Sequence, residues 1–165
     1  MATGSFASSY HGRSRMTQDI DLVIAPTPDQ LRTFVRSLPP SDYYVVEETA
    51  LEALASEDQF NLIELASGWK VDFIIRKSRP FSRTEFDRRV RAEIDGFPMY
   101  VASAEDILIA KLEWARKGGS ERQIEDAAGI LGLRGEELDL KYIERWIVEL
   151  GLQDQLVAAR KMIHR

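Results

Sequence analysis

The chain has 165 residues, with 22 Lys+Arg against 27 Asp+Glu, two His and no Cys. Such a length suits one domain, or one small core with a helical appendage, and 44% hydrophobic with 30% charged residues is the composition of an ordinary globular protein. The lack of Cys excludes disulfides, thiolate zinc sites, iron–sulfur clusters and a Cys nucleophile, two His give no imidazole cluster, and a net charge of −5 argues against blanket nucleic-acid binding.

In chain order, Gly4-Ser5 precede Phe6-Ala7-Ser8-Ser9, a small-residue stretch suited to a helix N-terminus whose amides, with the Ser5 hydroxyl, form a natural phosphate cradle. Residues 19–25 (DIDLVIA) are short and rich in β-branched side chains, and predict a strand. Thr27 with Pro28 and Gln30 forms a T-x-x-Q capping box, and Leu31, Phe34, Val35 and Leu38 follow at helical spacing until Pro39-Pro40. Residues 43–46 suggest a short strand and 48–55 a short helix. FNLIEL (60–65) and WKVDFII (69–75) flank Ala66-Ser67-Gly68 and predict a hairpin, and Asp95-Gly96 marks a second one between roughly 88–94 and 97–102. Between the two hairpins, residues 76–91 carry seven basic side chains against Glu85 and Asp87, +5 locally and −10 elsewhere. This stretch reads as a salt-bridged loop and strand, or as a phosphate-binding face.

The last sixty residues differ in kind. Ser103 with Asp106 caps a helix holding Ile107, Leu108, Leu112 and Trp114, which ends at Gly118-Gly119. Ser120 with Gln123 opens a second helix that stops near Gly132. Further helices are expected from about Leu140 to Leu150, and from Gln153 towards His164. The reading is α+β: a small mixed sheet over residues 1–102 with a helical part, 103–165, packed on it. No run of roughly 20 apolar residues and no signal-peptide h-region is present. The expectation is a cytoplasmic protein without a membrane segment.

Three acidic residues stand at strand positions where apolar ones are expected. Asp19 and Asp21 alternate with Ile20, Leu22 and Ile24, so both carboxylates project from one face, about 6.5–7 Å apart at Cα. Asp72 interrupts the apolar strand WKVDFII, and a buried carboxylate there needs a cation or a donor. Three carboxylates on one sheet face would make a hard oxygen site for Mg²⁺ or Mn²⁺. Taken singly, each also reads as a structural acid, and nothing in the spacing makes the two strands neighbours. His11 reads as a helix or loop residue.

The run GSFASSYHGRSRMTQDIDLVI resembles the nucleotidyltransferase superfamily signature, a G-[GS] pair followed after a spacer by D-h-[DE]-h. Its R-x-T-x-D-I-D form (Arg15, Thr17, Asp19, Asp21) is similar to small bacterial AbiEii and MNT-type proteins. So are the single-Asp strand WKVDFII, the S-x-E-D-h-h-h-x-K-L segment from Ser103 to Leu112, and the Glu125-Asp126 pair. The resemblance runs to about residue 150. It implies an Mg²⁺-dependent enzyme moving a nucleoside monophosphate from a nucleoside triphosphate to a hydroxyl on RNA, protein or a small molecule. Gly4 and Ser5 would hold phosphates, and Asp19, Asp21 and Asp72 would ligate metal. Asp72 would also help deprotonate the acceptor, and Arg15 and Lys111 would reach the phosphates. Arg15 reads equally as a partner of Asp19 or Asp21, and Lys111 as a solvent-facing residue. Relatives carry more chain before G-[GS], so the first strand is expected to be cut short, leaving a sheet edge that hints at a homodimer. The same shortening supports a rival reading: a catalytically silent binding module, as in a toxin–antitoxin pair. Residues 76–91 could flank the acceptor entrance or, in a third reading, bind RNA on their own.

Overall fold

A computed structural model describes residues 1–11, 19–94 and 96–163. The element order is β1 (Ala2–Thr3), α1 (Gly4–His11), β2 (Asp19–Ile24), α2 (Pro28–Ser37), β3 (Tyr43–Tyr44), α3 (Glu47–Ser56), β4 (Gln59–Glu64) and β5 (Lys70–Ile75). There follow α4 (Pro80–Asp87), β6 (Val90–Ile94), β7 (Phe97–Val101), α5 (Ala104–Gly118), α6 (Glu121–Arg134), α7 (Leu140–Leu150) and α8 (Gln153–Ile163). The fold is therefore α+β, as expected, and no helix among the described residues is long and apolar enough to cross a membrane.

Local signals account for most boundaries. Both halves of the Thr27–Gln30 capping box form, with Pro28 at the first helical position. The Ser103 hydroxyl accepts the Asp106 amide at the start of α5, and Gly119 ends that helix at φ +60°. Gly68 and Gly96 turn the two hairpins at φ +75° and +80°, conformations that side chains other than glycine disfavour. Ser120 makes no side-chain cap, and α6 continues past Gly132 to Arg134.

The strands form one mixed sheet in the order β3-β4-β5-β2-β1-β7-β6, with β2 parallel to β5 and β1 parallel to β7. One face of β2, β4 and β5 carries Leu22, Ile24, Phe60, Leu62, Phe73 and Ile75 against Leu31 and Val35 of α2 and Ala50 and Ala53 of α3. Phe73 centres this core, stacked on Phe60 at 5.2 Å and edge-on to Phe34 at 5.3 Å. A second core joins α5, α6, α7 and α8 to Ala2, Ala7, Ala92 and Val101, with Trp146 edge-on to Phe81 at its centre.

Two expectations are corrected here. The first strand is only two residues long, yet it is not an edge. Ala2 is opposite Leu22 on one side and Val101 on the other, so the edge that hinted at a dimer is covered. Likewise, 76–91 is not loop and strand alone: between the loop and β6 it contains α4, started by Pro80 at N1, with Phe81 and Glu85 buried one turn apart. Its basic charges mostly fold back onto the protein. Arg79 makes a bidentate pair with the buried Glu113 at 2.5 and 2.6 Å. Arg88 reaches Glu105 and Asp106 at 3.4 Å and lies 3.9 Å from the Tyr142 ring centroid. Arg89 donates to the Phe86 carbonyl and stacks near Tyr100. Lys77, Arg83 and Arg91 remain exposed, which leaves little of a continuous cationic face.

Candidate active site

The sheet's other face carries the acids. In the parallel pairing of β2 with β5, Asp21 is opposite Asp72 and Asp19 is opposite Lys70, while Asn61 of β4 flanks Asp72 on its other side. Neighbouring strands lie about 4.8 Å apart, so the Asp21–Asp72 rung places two carboxylates side by side. They line a cleft of about 240 Å³ together with Gly4, Ser5 and Lys111, against the α5 stripe Ile107, Ala110, Lys111 and Trp114.

Each site residue is placed by its element. The chain leaves β1 at Thr3 and starts α1 at Gly4, whose φ of +62° and proximity to β2 both demand glycine: a Cβ there would stand 1.8 Å from the Asp21 Oδ2. The Ser5 amide donates to the Asp21 carboxylate and draws its pKa down. Burial nevertheless wins, and with the Asp72 charge beside it the Asp21 carboxyl is held above the usual carboxylate range, against Ser5 and Lys111. Lys111 is not a solvent-facing residue. It is 3% exposed and donates to Asp126 of α6 at 2.8 Å, a pair that fixes its ammonium in the cleft wall.

Asp72 is buried, and its two oxygens differ. Oδ2 receives the Lys70 ammonium at 2.9 Å, whereas Oδ1 is enclosed and has no hydrogen-bond partner. An orphan buried carboxylate oxygen is costly and calls for a donor or a cation. Lys70 also lies 3.9 Å from Asp19, whose side chain is half exposed. The hydrogen bond to Asp72 holds the Lys70 ammonium above its usual pKa, against slight burial. Sequence reading passed over Lys70, although it stands two residues before Asp72 and so shares its face.

The structure thus gathers Gly4, Ser5, Asp21, Asp72 and Lys111 around one cleft and leaves Asp19 a rung away at the start of β2. Arg15 and Thr17 lie outside the described residues. Among the described residues no three His, Cys, Asp or Glu side chains stand as a ready-made metal cluster, and the Lys70 ammonium sits beside Asp19 and Asp72. As donors, though, Asp21, Asp72 and Asp19 are hard oxygens suited to a divalent magnesium-like ion, and the orphan Oδ1 of Asp72 is the observation that fits one.

Two further residues escaped the sequence reading. Trp114, read only as one of the residues of the helix that Ser103 opens, is 58% exposed at the cleft. Gln123, read as part of a cap, lines the same cleft with an enclosed, unpartnered Oε1. His11, by contrast, is structural. Its Nε2–H donates to the Ala102 carbonyl at 2.7 Å and its Nδ1 accepts from Arg134 at 2.7 Å. Burial lowers its pKa, the Ala102 bond opposing and the Arg134 charge assisting, so this ring stays neutral.

No family model and no curated protein sequence matches the chain. Solved structures do. An antigenic nucleotidyltransferase-like protein from Paracoccidioides brasiliensis superimposes with a TM-score of 0.56 at 20% identity, over 96% of this chain and 83% of that one. The antibiotic-resistance factor ANT(2'')-Ia gives 0.52 at 15% identity, over 99% and 86% respectively. With its mixed sheet, the Gly4 turn and the paired acids of β2 and β5, the chain has the nucleotidyltransferase-like fold.

Proposed function

We propose that the chain is a metal-dependent nucleotidyltransferase that moves a nucleoside monophosphate from a nucleoside triphosphate to an acceptor hydroxyl. One observation carries this reading: the Asp21–Asp72 rung, with its orphan oxygen, lies in a cleft shared with Gly4, Ser5 and Lys111. Asp21, Asp72 and Asp19 would hold the cation, Mg²⁺ or Mn²⁺, which when bound neutralises phosphate charge in the transition state. The chain's own groups do the rest. The N-terminus of α1 and Lys111 bind and orient the triphosphate. The acceptor oxygen attacks the α-phosphorus in line, the bond to the β-phosphate oxygen breaks, and pyrophosphate leaves. The hydroxyl proton passes to Asp72. Positioning and electrostatic stabilisation supply most of the rate.

A second reading has one observation in its favour. The Lys70 ammonium already neutralises Asp72, as a catalytically silent binding module, such as a member of a toxin–antitoxin pair, would allow. Calorimetric titration of the four nucleoside triphosphates, with and without Mg²⁺, into wild type and Asp21→Asn separates the two. Metal-dependent binding lost in the variant supports the enzyme and justifies a label-transfer search for the acceptor among RNA, protein and small molecules. Binding that ignores both metal and substitution, or no binding at all, selects the silent module.

A further inference from the structure

The cleft has a charged part, at Gly4, Asp21, Asp72 and Lys111, and an uncharged part that phosphate chemistry does not use. The uncharged part comprises Trp114, Gln123, Gln59 and Ile74. Resting on the nucleotidyltransferase reading, we propose that Trp114 and Gln123 form the subsite for the nucleobase, and that Gln123 selects bases bearing an exocyclic amino group.

Two independent observations support this. Trp114 follows Lys111 by three residues, about 4.5 Å along α5, so indole and ammonium belong to one stripe facing the cleft. The indole is 58% exposed, and among the described residues its one ring contact is Lys117, 5.5 Å from the centroid. Helix α5 therefore presents a broad aromatic face beside the phosphate-binding residues without packing it into the core. Aromatic faces of this kind stack bases whatever their sequence. The second observation is Gln123. Its Oε1 is enclosed and accepts no hydrogen bond, and an exocyclic amino group on a ring stacked on Trp114 would supply the missing donor. Adenine, cytosine and guanine carry such an amino group; uracil does not. A buried acceptor left unpaired discriminates more strongly than added apolar contact does.

The test titrates ATP, UTP, adenosine and inorganic triphosphate, all with Mg²⁺, into wild type, Trp114→Ala, Trp114→Phe and Gln123→Leu. Trp114→Ala should weaken ATP and adenosine about tenfold and leave inorganic triphosphate unchanged, with Trp114→Phe between. Gln123→Leu should bring ATP down to the affinity of UTP without moving UTP. Of the three tryptophans, Trp146 is buried and Trp69 does not line the cleft, so quenching by adenosine should vanish in Trp114→Phe. ATP affinity unaltered in Trp114→Ala would overturn the base subsite and leave the transferase reading standing. Adenosine quenching that survives in Trp114→Phe would overturn it equally. If wild type bound adenosine through Trp114 but neither ATP nor inorganic triphosphate, the transferase reading would fall and the subsite would stand. Failure to bind any of the four would overturn both.

Discussion

Helix α5 presents two ionic clusters on two of its faces, and they differ in how completely they are satisfied. Towards α4 and α7, Asp106 is fully buried, yet it takes the Ser103 hydroxyl at 2.6 Å, the Tyr142 hydroxyl at 2.5 Å and the Arg88 guanidinium at 3.4 Å. About two helical turns further along α5, Glu113 closes on Arg79 through two bonds. Burial raises the Glu113 carboxyl, but the Arg79 hydrogen bonds and charge outweigh it and hold it below the usual range. Towards the sheet, Asp72 keeps an oxygen with no partner, and Asp21 stands opposite it as a second acid. Both clusters are acids opposite bases, so charge alone does not separate them. Completeness of pairing does: saturated groups fix helices to one another, and under-satisfied ones mark where a ligand belongs.

The sharpest way to break this contrast is to substitute on the under-satisfied side. Asp72→Asn should lower nucleotidyl transfer by about 10³-fold, roughly 4 kcal/mol of transition-state stabilisation, while leaving the melting temperature nearly unmoved or slightly raised. A large drop in melting temperature with activity retained would make Asp72 a structural acid like its counterparts across α5.

On the saturated side the effect should fall on stability instead. Asp106→Ala strips partners from Ser103, Tyr142 and Arg88 and should cost about 3 kcal/mol, read by urea denaturation. Nucleotide affinity in the folded fraction should not change.

Glu85 sharpens the comparison through pH. Burial, reinforced by the charge of Asp106, pushes its carboxyl up to about 8. Its folded-state pKa lies above the 4.5 usual for a glutamate, so the unfolded chain ionises first as pH rises. The stability it contributes is complete below about 4.5 and is lost progressively until about 8. Glu85→Gln should therefore gain on the order of 1–2 kcal/mol relative to wild type at pH 8 and little at pH 4. Thermal melts across that window check the sign.

A smaller effect is expected at Lys70. Removing its charge with Lys70→Met should tighten Mg²⁺ or Mn²⁺ binding by about tenfold, on the scale of one opposite charge near a protein surface, as read by Mn²⁺ paramagnetic resonance. Weaker metal binding would instead make Lys70 part of the site. Smallest of all, Arg83→Ala on exposed α4 should change stability by under about 0.5 kcal/mol and leave nucleotide affinity alone; a large loss there would revive a cationic acceptor face.

Local chemistry made much of this legible in the sequence. The Thr27–Gln30 box, the Gly68 and Gly96 turns and the Ser103 cap are decided within a few residues, and they fall where sequence reading puts them. Gly4, Ser5, Asp21, Asp72 and Lys111 were each nameable too, by resemblance, but their convergence depends on β2 pairing with β5 in parallel, a contact between segments some fifty residues apart. Helix α4 was obscured because its seven-charge surroundings drown the Phe81–Glu85 spacing, although Pro80 was a start signal. Lys70 was readable from strand parity alone. Trp114 and Gln123 were not: whether a residue on a helix faces core or cleft depends on what packs opposite it.

The two residues of β1 have a mechanical consequence. They are the rivet between two plates, the four strands β3-β4-β5-β2 and the hairpin β7-β6, with Val23 donating to the Met1 carbonyl and Ala102 to that of Ala2. The Gly4 turn lies at the end of this joint. Phosphate gripped there would stiffen the joint, so occupancy of the cleft and rigidity of the whole sheet would rise together.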